Sequence, residues 1–528
     1  MNKQKSPLTA RAIAIGLLGL VIITASSMYV ALRMGALPWP TVFVTVLSMA
    51  VLSKAKGSTL QEINCTHTLM SAGAMVAGGL AFTLPGLWMT DPGASLSLLT
   101  IIVIAVTGAI LGNLFTALYR PKFIEEEMLP YPMGKAAYDT LIAGKEGKGA
   151  PILFSTMGLS AIFTAIRDWL GKIPSVLTVF PTTSLFPSLQ IWISPMALAI
   201  GAIIGPALAL MWLLGSILGY YVITPIGLAT GWFESMAEAD LFRSNLGLGI
   251  MIGTGFGVAI MAIVKALRKK KESNAKKELN KNVLIAIIAV CLMATVILTL
   301  FTEISFIEAI ILIVGTYLVA YLSGMLTGQT GINPMEVFAI IVLLFISALF
   351  KPSLTACFSI AGVVAVACGL TGDVMNDLKS GSLIGTPFKS QLLAEAIGGI
   401  VGAVVASVAL VVLKNAFGGF GSVELPAPQA ASVAAMAGGI GNKLAFFLGV
   451  AIGIILYMLK APSATLGLGF YLSTSISSIM ALGAIIMALA KKFAKDKNKA
   501  ENTANLISSG LLGGEGITGV IIAIASMF

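Results

Sequence analysis

The chain has 528 residues, 57% of them hydrophobic and only 11% charged, with a formal net charge of +10. Ordinary globular chains carry roughly 25% charged residues, so with a mean hydropathy of +0.97 this chain cannot cover a water-facing surface, and a soluble globular protein is excluded. Nor does the basic balance point to nucleic acid: Lys and Arg concentrate in short connectors, chiefly RKKKESNAKKELNKN (268–282) and KKFAKDKNK (491–499), where they orient membrane helices toward the cytoplasm.

A bilayer core about 30 Å thick takes about 20 apolar residues per helix. In chain order the apolar runs predict helices at 10–32, 37–54, 67–90, 95–118, 150–170, 194–214, 216–234 and 246–267. A second series follows at 283–301, 305–323, 335–350, 353–371, 390–413, 440–459, 463–490 and 506–526. The basic start, MNKQKSPLTAR, leads into a run that passes Ala25-Ser26-Ser27 without a cleavage site, so it reads as a retained first helix and not a signal peptide. The basic segment 268–282 then divides the chain into an N-terminal half, 1–267, and a C-terminal half, 283–528, of about eight helices each.

The halves share a layout. Each has a Gly- and Pro-bearing break, RMGALPWP (33–40) and LTGQTGINP (326–334), then a cytoplasmic connector (120–148 and 372–390) and a Pro-bearing outer stretch (171–195 and 415–429). The expectation is an all-α, polytopic transmembrane bundle of about 14–16 helices in two related halves. A re-entrant or broken segment in APSATLGLGFYLSTSISS (461–478) would return the basic 491–499 turn to the cytoplasmic side. Internal duplication of this kind is typical of secondary transporters, whose sites lie where the repeats meet.

Missing motifs narrow the function. There is no G-x-x-x-x-G-K-[ST] loop for ATP and no G-x-S-x-G elbow. His67 is the single histidine, which excludes H-E-x-x-H and any two-histidine zinc site. Cys65, Cys291, Cys357 and Cys368 show no CxxC spacing and read as packing residues, so neither a metal nor a cofactor is expected. ATP-driven pumping by this chain alone is out. An intramembrane enzyme is the rival class, and a channel would normally repeat its filter around a multi-subunit axis.

The chain resembles the oligopeptide transporter family, which includes yellow-stripe-like metal–chelate carriers, nearly end to end. The anchors are ALRMGALPWPTVF (31–43), EINCTHTLMSAGAMVAGGLAFTLPGL (62–87), EEEMLPYPMGKAAYDTLIAG (125–144), GDVMNDLKSGSLIGTPFKSQLLAEAIG (372–398), LPAPQA (425–430) and SSGLLGGEGITGV (508–520). It departs from bacterial members at His67, where they usually carry Gln, and at LPYPMGK, where they carry a more acidic form. The resemblance implies a multi-pass protein of the cytoplasmic membrane that carries small peptides, or alternatively metal chelates or metal ions, together with protons, and it leaves room for a homo-oligomer.

Three sets of residues are candidates for that work. Glu62, Asn64, Thr66, His67 and Thr68 gather ahead of a small-residue run. With a helix starting near Thr66, Asn64 or Thr66 would cap it and the rest would face a polar cavity, where an exposed helix N-terminus meets a substrate carboxylate; a merely capped helix end is the alternative. Asn333, in the second break, joins them as a substrate-binding candidate. Glu308, Glu395 and Glu515 stand in apolar segments, where a charge costs roughly 2.5–3.5 kcal/mol and usually marks a pathway or proton relay; pairing with Lys or Arg is the alternative. Glu125, Glu126 and Glu127, with Asp373, Asp377 and Lys379, sit on the two cytoplasmic connectors as gating ion pairs or as solvated faces.

Overall fold

The computed structural model describes residues 6–35, 37, 41–52, 55, 57–143, 149–268, 281–330, 333–437 and 441–525. The helices of the first half are α1 (Ala10–Met34), α2 (Thr41–Leu52), α3 (Leu60–Ala81), α4 (Pro85–Thr90), α5 (Leu98–Arg120), α6 (Pro132–Ala143) and α7 (Gly149–Thr164). A hairpin of β1 (Val176–Phe180) and β2 (Leu189–Trp192) leads to α8 (Pro195–Ile204), α9 (Pro206–Ile217), α10 (Thr224–Ala229) and α11 (Met236–Arg268). After it come α12 (Lys281–Phe301), α13 (Phe306–Thr330), α14 (Met335–Phe350), α15 (Leu354–Ile384), α16 (Phe388–Ala416) and α17 (Pro428–Ala437). The chain finishes with α18 (Lys443–Met458), α19 (Ser463–Tyr471), α20 (Thr474–Phe493) and α21 (Lys497–Ala525). Among the described residues eleven helices are long and apolar enough to cross a membrane, accompanied by three shorter apolar helices. This is a polytopic helical membrane protein. The linker expected at 268–282 lies, from 269 to 280, outside the described residues.

Several boundaries differ from expectation for local reasons. The helix expected at 194–214 breaks at Gly205, whose φ of +82° suits glycine, and its second part runs on unbroken through residue 229. The outer stretch 171–195 holds the antiparallel hairpin. The segment 461–478 is indeed broken: Leu472 and Ser473 are extended between α19 and α20. The connector expected from 372 is instead the C-terminal part of α15, which continues to Ile384 and ends on Gly385 in the left-handed conformation.

Helix directions follow from the contacts. α1 and α3 run parallel, with Thr9 against Glu62 and Thr24 against Gly73. α15 runs antiparallel to α3, since Asn64 meets Ser380 and Thr386 while Gly79 meets Val366. A Cβ on Gly79 would lie 2.7 Å from the Val366 backbone, so this crossing requires glycine. α13 runs parallel to α15, with Ser323 against Cys368, and therefore opposite to α1. α21 runs parallel to α1, with Gly516 against Ser26 and Gly519 against Tyr29. The basic turn 491–499 thus sits at the same end as the basic N-terminal region, the cytoplasmic end by the positive-inside rule.

Lengths and contacts recur along the chain. α1 and α13 both have 25 residues. The helical stretches Leu60–Thr90 and Leu354–Ile384 both have 31, and those that follow, Leu98–Glu126 and Phe388–Ala416, both have 29. Each half then carries a Leu-Pro-x-Pro strap, Leu129-Pro130-Tyr131-Pro132 and Leu425-Pro426-Ala427-Pro428. Tyr131 and Ala427 are both left-handed, with φ of +43° and +41°. The Tyr131 N–H donates to Gly328 O near the end of α13, and the Ala427 N–H donates to Leu32 O near the end of α1, each at 2.9 Å. Burial raises the Tyr131 phenol far above its ordinary range, so it stays protonated and donates to Gly324 O at 2.9 Å. Farther along, α7 lies against α21 and α18 against α11, again across the halves.

Candidate functional site

The helix that opens the polar cluster starts earlier than expected. α3 begins at Leu60 with Thr59 as its cap, so Asn64 and Thr66 are helix interior and cap nothing. Residues 62–68 are all buried, in a packed crossing and not at an open mouth. At 3.6 residues per turn, Asn64, His67, Thr68 and Ser71 form one stripe. α15 carries a matching stripe at the same spacing, Asp373, Asn376, Asp377 and Ser380, and α16 adds Gln391 and Glu395 one turn apart. The three stripes meet.

Their bonds are specific. Ser380 Oγ donates to Asn64 Oδ1 at 3.0 Å, and Asn64 Nδ2 donates to Thr386 Oγ1 at 3.3 Å. Ser71 Oγ donates to Asp377 Oδ2 at 2.8 Å. Gln391 Nε2 serves both Thr68 Oγ1 at 3.1 Å and Asp377 O at 2.5 Å. His67 Nδ1 stands 3.7 Å from Asp377 Oδ1, near enough for charge attraction but too far for a hydrogen bond. Both imidazole nitrogens, both Glu395 carboxyl oxygens and Asp373 Oδ2 are buried without a hydrogen-bond donor or acceptor among the described residues, as are Asn113 Oδ1 on α5 and Thr327 Oγ1 on α13. Glu395 lies close to Asp377 and Asp373. Buried polar atoms are almost always partnered, so a group of idle ones within one helix crossing singles it out as the candidate site.

The sequence profile described as "OPT oligopeptide transporter protein" matches residues 7–526. The chain belongs to this family. It is also similar to the "Putative oligopeptide transporter" of Haemophilus influenzae, 28% identical over 94% of this chain and 92% of that one. Family and fold together make it a transporter, in the cytoplasmic membrane, and the buried crossing of α3, α15 and α16 lies at the heart of its helical core.

The remaining candidates fall elsewhere. Glu62 grips the start of α1, accepting from Arg11 Nε at 2.6 Å, Arg11 Nη2 at 2.5 Å and Thr9 Oγ1 at 2.5 Å. Thr66 Oγ1 donates back to Glu62 O. Asn333 is held by Ser323 at 2.8 Å and donates to Cys368 O at 2.9 Å, beside Gly372. Glu308 closes a reciprocal cap with Ser305 at the start of α13. Glu515 is paired with Arg167 at 2.9 Å and takes the Ser194 hydroxyl and the Met196 N–H. Glu125 pairs with Arg120, and Glu126 is exposed; Glu127 and Lys379 are half-buried. Asp373 and Asp377, expected on a connector, are buried helix residues. Ser71 reads in the sequence only as a small packing residue, and Ser380 and Gln391 do not stand out; for Ser380 the available signal is the helical spacing within GDVMNDLKSG once that stretch is read as helix.

Proposed function

We propose that this chain is a secondary active carrier that symports small oligopeptides with protons across the cytoplasmic membrane. The observation that carries the proposal is the unpartnered set formed by His67, Glu395 and Asp373 beside Asp377. Three carboxyl groups and one imidazole share one buried place, where ionisable groups within a membrane commonly form proton relays. The idle oxygens and nitrogens also match the ammonium and amide groups of a peptide, whose arrival would satisfy them. Binding and protonation then favour the same sealed state, which is the requirement for coupled movement.

The repeated lengths, the two straps and the opposed directions of α1 and α13 support reading the chain as two related halves inverted in the membrane, with α13 opening the second and α12 joining them. The decisive experiment is uptake into proteoliposomes under an imposed pH gradient. Tri-alanine should accumulate without ATP and leave again when a protonophore collapses the gradient. Accumulation of a metal chelate but no peptide would move the substrate to the chelate class, and peptide uptake indifferent to the gradient would remove protons from the cycle.

A further inference from the structure

Arg33 lies on α1 at the end opposite the basic N-terminal region, within the stretch Met28–Gly35 of which it alone is not buried. Its Nη1 donates to Tyr29 Oη at 2.5 Å, and among the described residues it has no carboxylate partner. The guanidinium lies over the Trp192 ring at 4.5 Å and the Tyr29 ring at 5.4 Å, two flat walls that hold its plane. The nearby acids are committed elsewhere. Asp168 takes Arg167 through two bonds of 2.6 Å, and Glu515 is taken by Arg167, Ser194 and Met196 N–H. Arg33 is thus an oriented cation with most of its five donors idle among the described residues, at the end of the bundle opposite the basic cytoplasmic one.

We propose that Arg33 receives the C-terminal carboxylate of the incoming substrate. A guanidinium fork matches a carboxylate with two parallel bonds, and among the described residues only Nη1 of Arg33 is engaged, by the Tyr29 hydroxyl. The inference deepens the peptide reading and rests on it. It places first recognition of the substrate at the outer end of α1, separate from the buried titratable crossing.

The test compares tri-alanine with its C-terminal amide on the full-length protein, in two measurements. Binding is read as thermal stabilisation of the protein in detergent, and uptake is read in proteoliposomes under a pH gradient. Wild type should bind and transport the free acid about ten- to a hundred-fold more effectively than the amide, the range expected for charged hydrogen bonds. Arg33→Gln should remove that preference and leave the amide unchanged, and Arg33→Lys, which keeps charge but loses the fork, should restore part of it. Equal handling of acid and amide by wild type, a comparison that needs no variant, would overturn the proposal. So would an Arg33→Gln protein that still prefers the acid. Selective binding of the acid without gradient-driven uptake would keep Arg33 and overturn symport; gradient-driven uptake of both forms alike would do the reverse. A chelate with several carboxylates, run alongside, shows which source of the carboxylate is accepted.

Discussion

At the scale of single residues, the proposed carrier assigns different work to Glu395 and Asn64. Among the described residues no N–H or hydroxyl donates to Glu395, which lies against Asp377, whereas Asn64 has two partners. Glu395→Gln keeps the shape and removes the ionisable group, so gradient-driven accumulation should be lost while exchange of labelled for unlabelled peptide across the vesicle membrane persists; loss of both would point to a folding role. Asn64→Ala removes bonds to Ser380 and Thr386, each worth about 0.5–1.5 kcal/mol, and should raise KM several-fold with the pH profile intact. His67→Gln removes the imidazole beside Asp377 and should alter the pH dependence of uptake. An unaltered profile at normal expression would leave His67 as a packing residue.

At the scale of elements, the Leu-Pro-x-Pro straps explain how short helices are fixed without long apolar runs. Ala427 holds a left-handed backbone that costs an L-residue about 1–2 kcal/mol. Ala427→Gly relieves it against about 0.5–1 kcal/mol of added chain entropy and the loss of a buried methyl worth about 0.8 kcal/mol, so the variant should stay within about 1 kcal/mol of wild type, read as a nearly unchanged unfolding temperature in detergent. The helices themselves were legible from the sequence, because twenty apolar residues in a row have few alternatives. The ends of α3 and α15 were not. Glu62, Asn64 and His67, like Asp373 and Asp377, look like loop residues until their partners on other helices are known, and those partners lie hundreds of residues away in the chain. The paired Gly- and Pro-bearing breaks around Gly35 and Gly331 are legible in the sequence, whereas the two Leu-Pro-x-Pro straps do not announce themselves as a pair, because four letters do not rise above the shared apolar background. Glu515 and Glu308 illustrate the other limit, since an apolar neighbourhood in sequence says nothing about an arginine or a helix cap reached through the fold.

At the scale of the whole molecule, the parallel course of α1 and α21 brings the basic 491–499 turn and the N-terminal region to one end, and the β1–β2 hairpin follows α7 away from it. Single cysteines introduced into a cysteine-free background report this directly: Lys495→Cys should react with a membrane-impermeant maleimide only from the cytoplasmic side, and Ser184→Cys only from the other. Labelling of both from one side would reverse the assignment of α7.

The straps also bear on how the protein is made. Tyr131 fastens to Gly328 and Ala427 to Leu32, while α7 seats against α21 and α18 against α11, so neither half holds what it needs to close itself. A ribosome that has finished α11 has released helices whose fastenings are not yet synthesised, and the early half must wait in the bilayer for the late one. The first half produced alone should therefore be short-lived in cells. Co-production of two pieces cut between residues 269 and 280 should restore a stable, transporting pair; survival of residues 1–268 alone, as long-lived as the intact chain, would show that the halves mature independently.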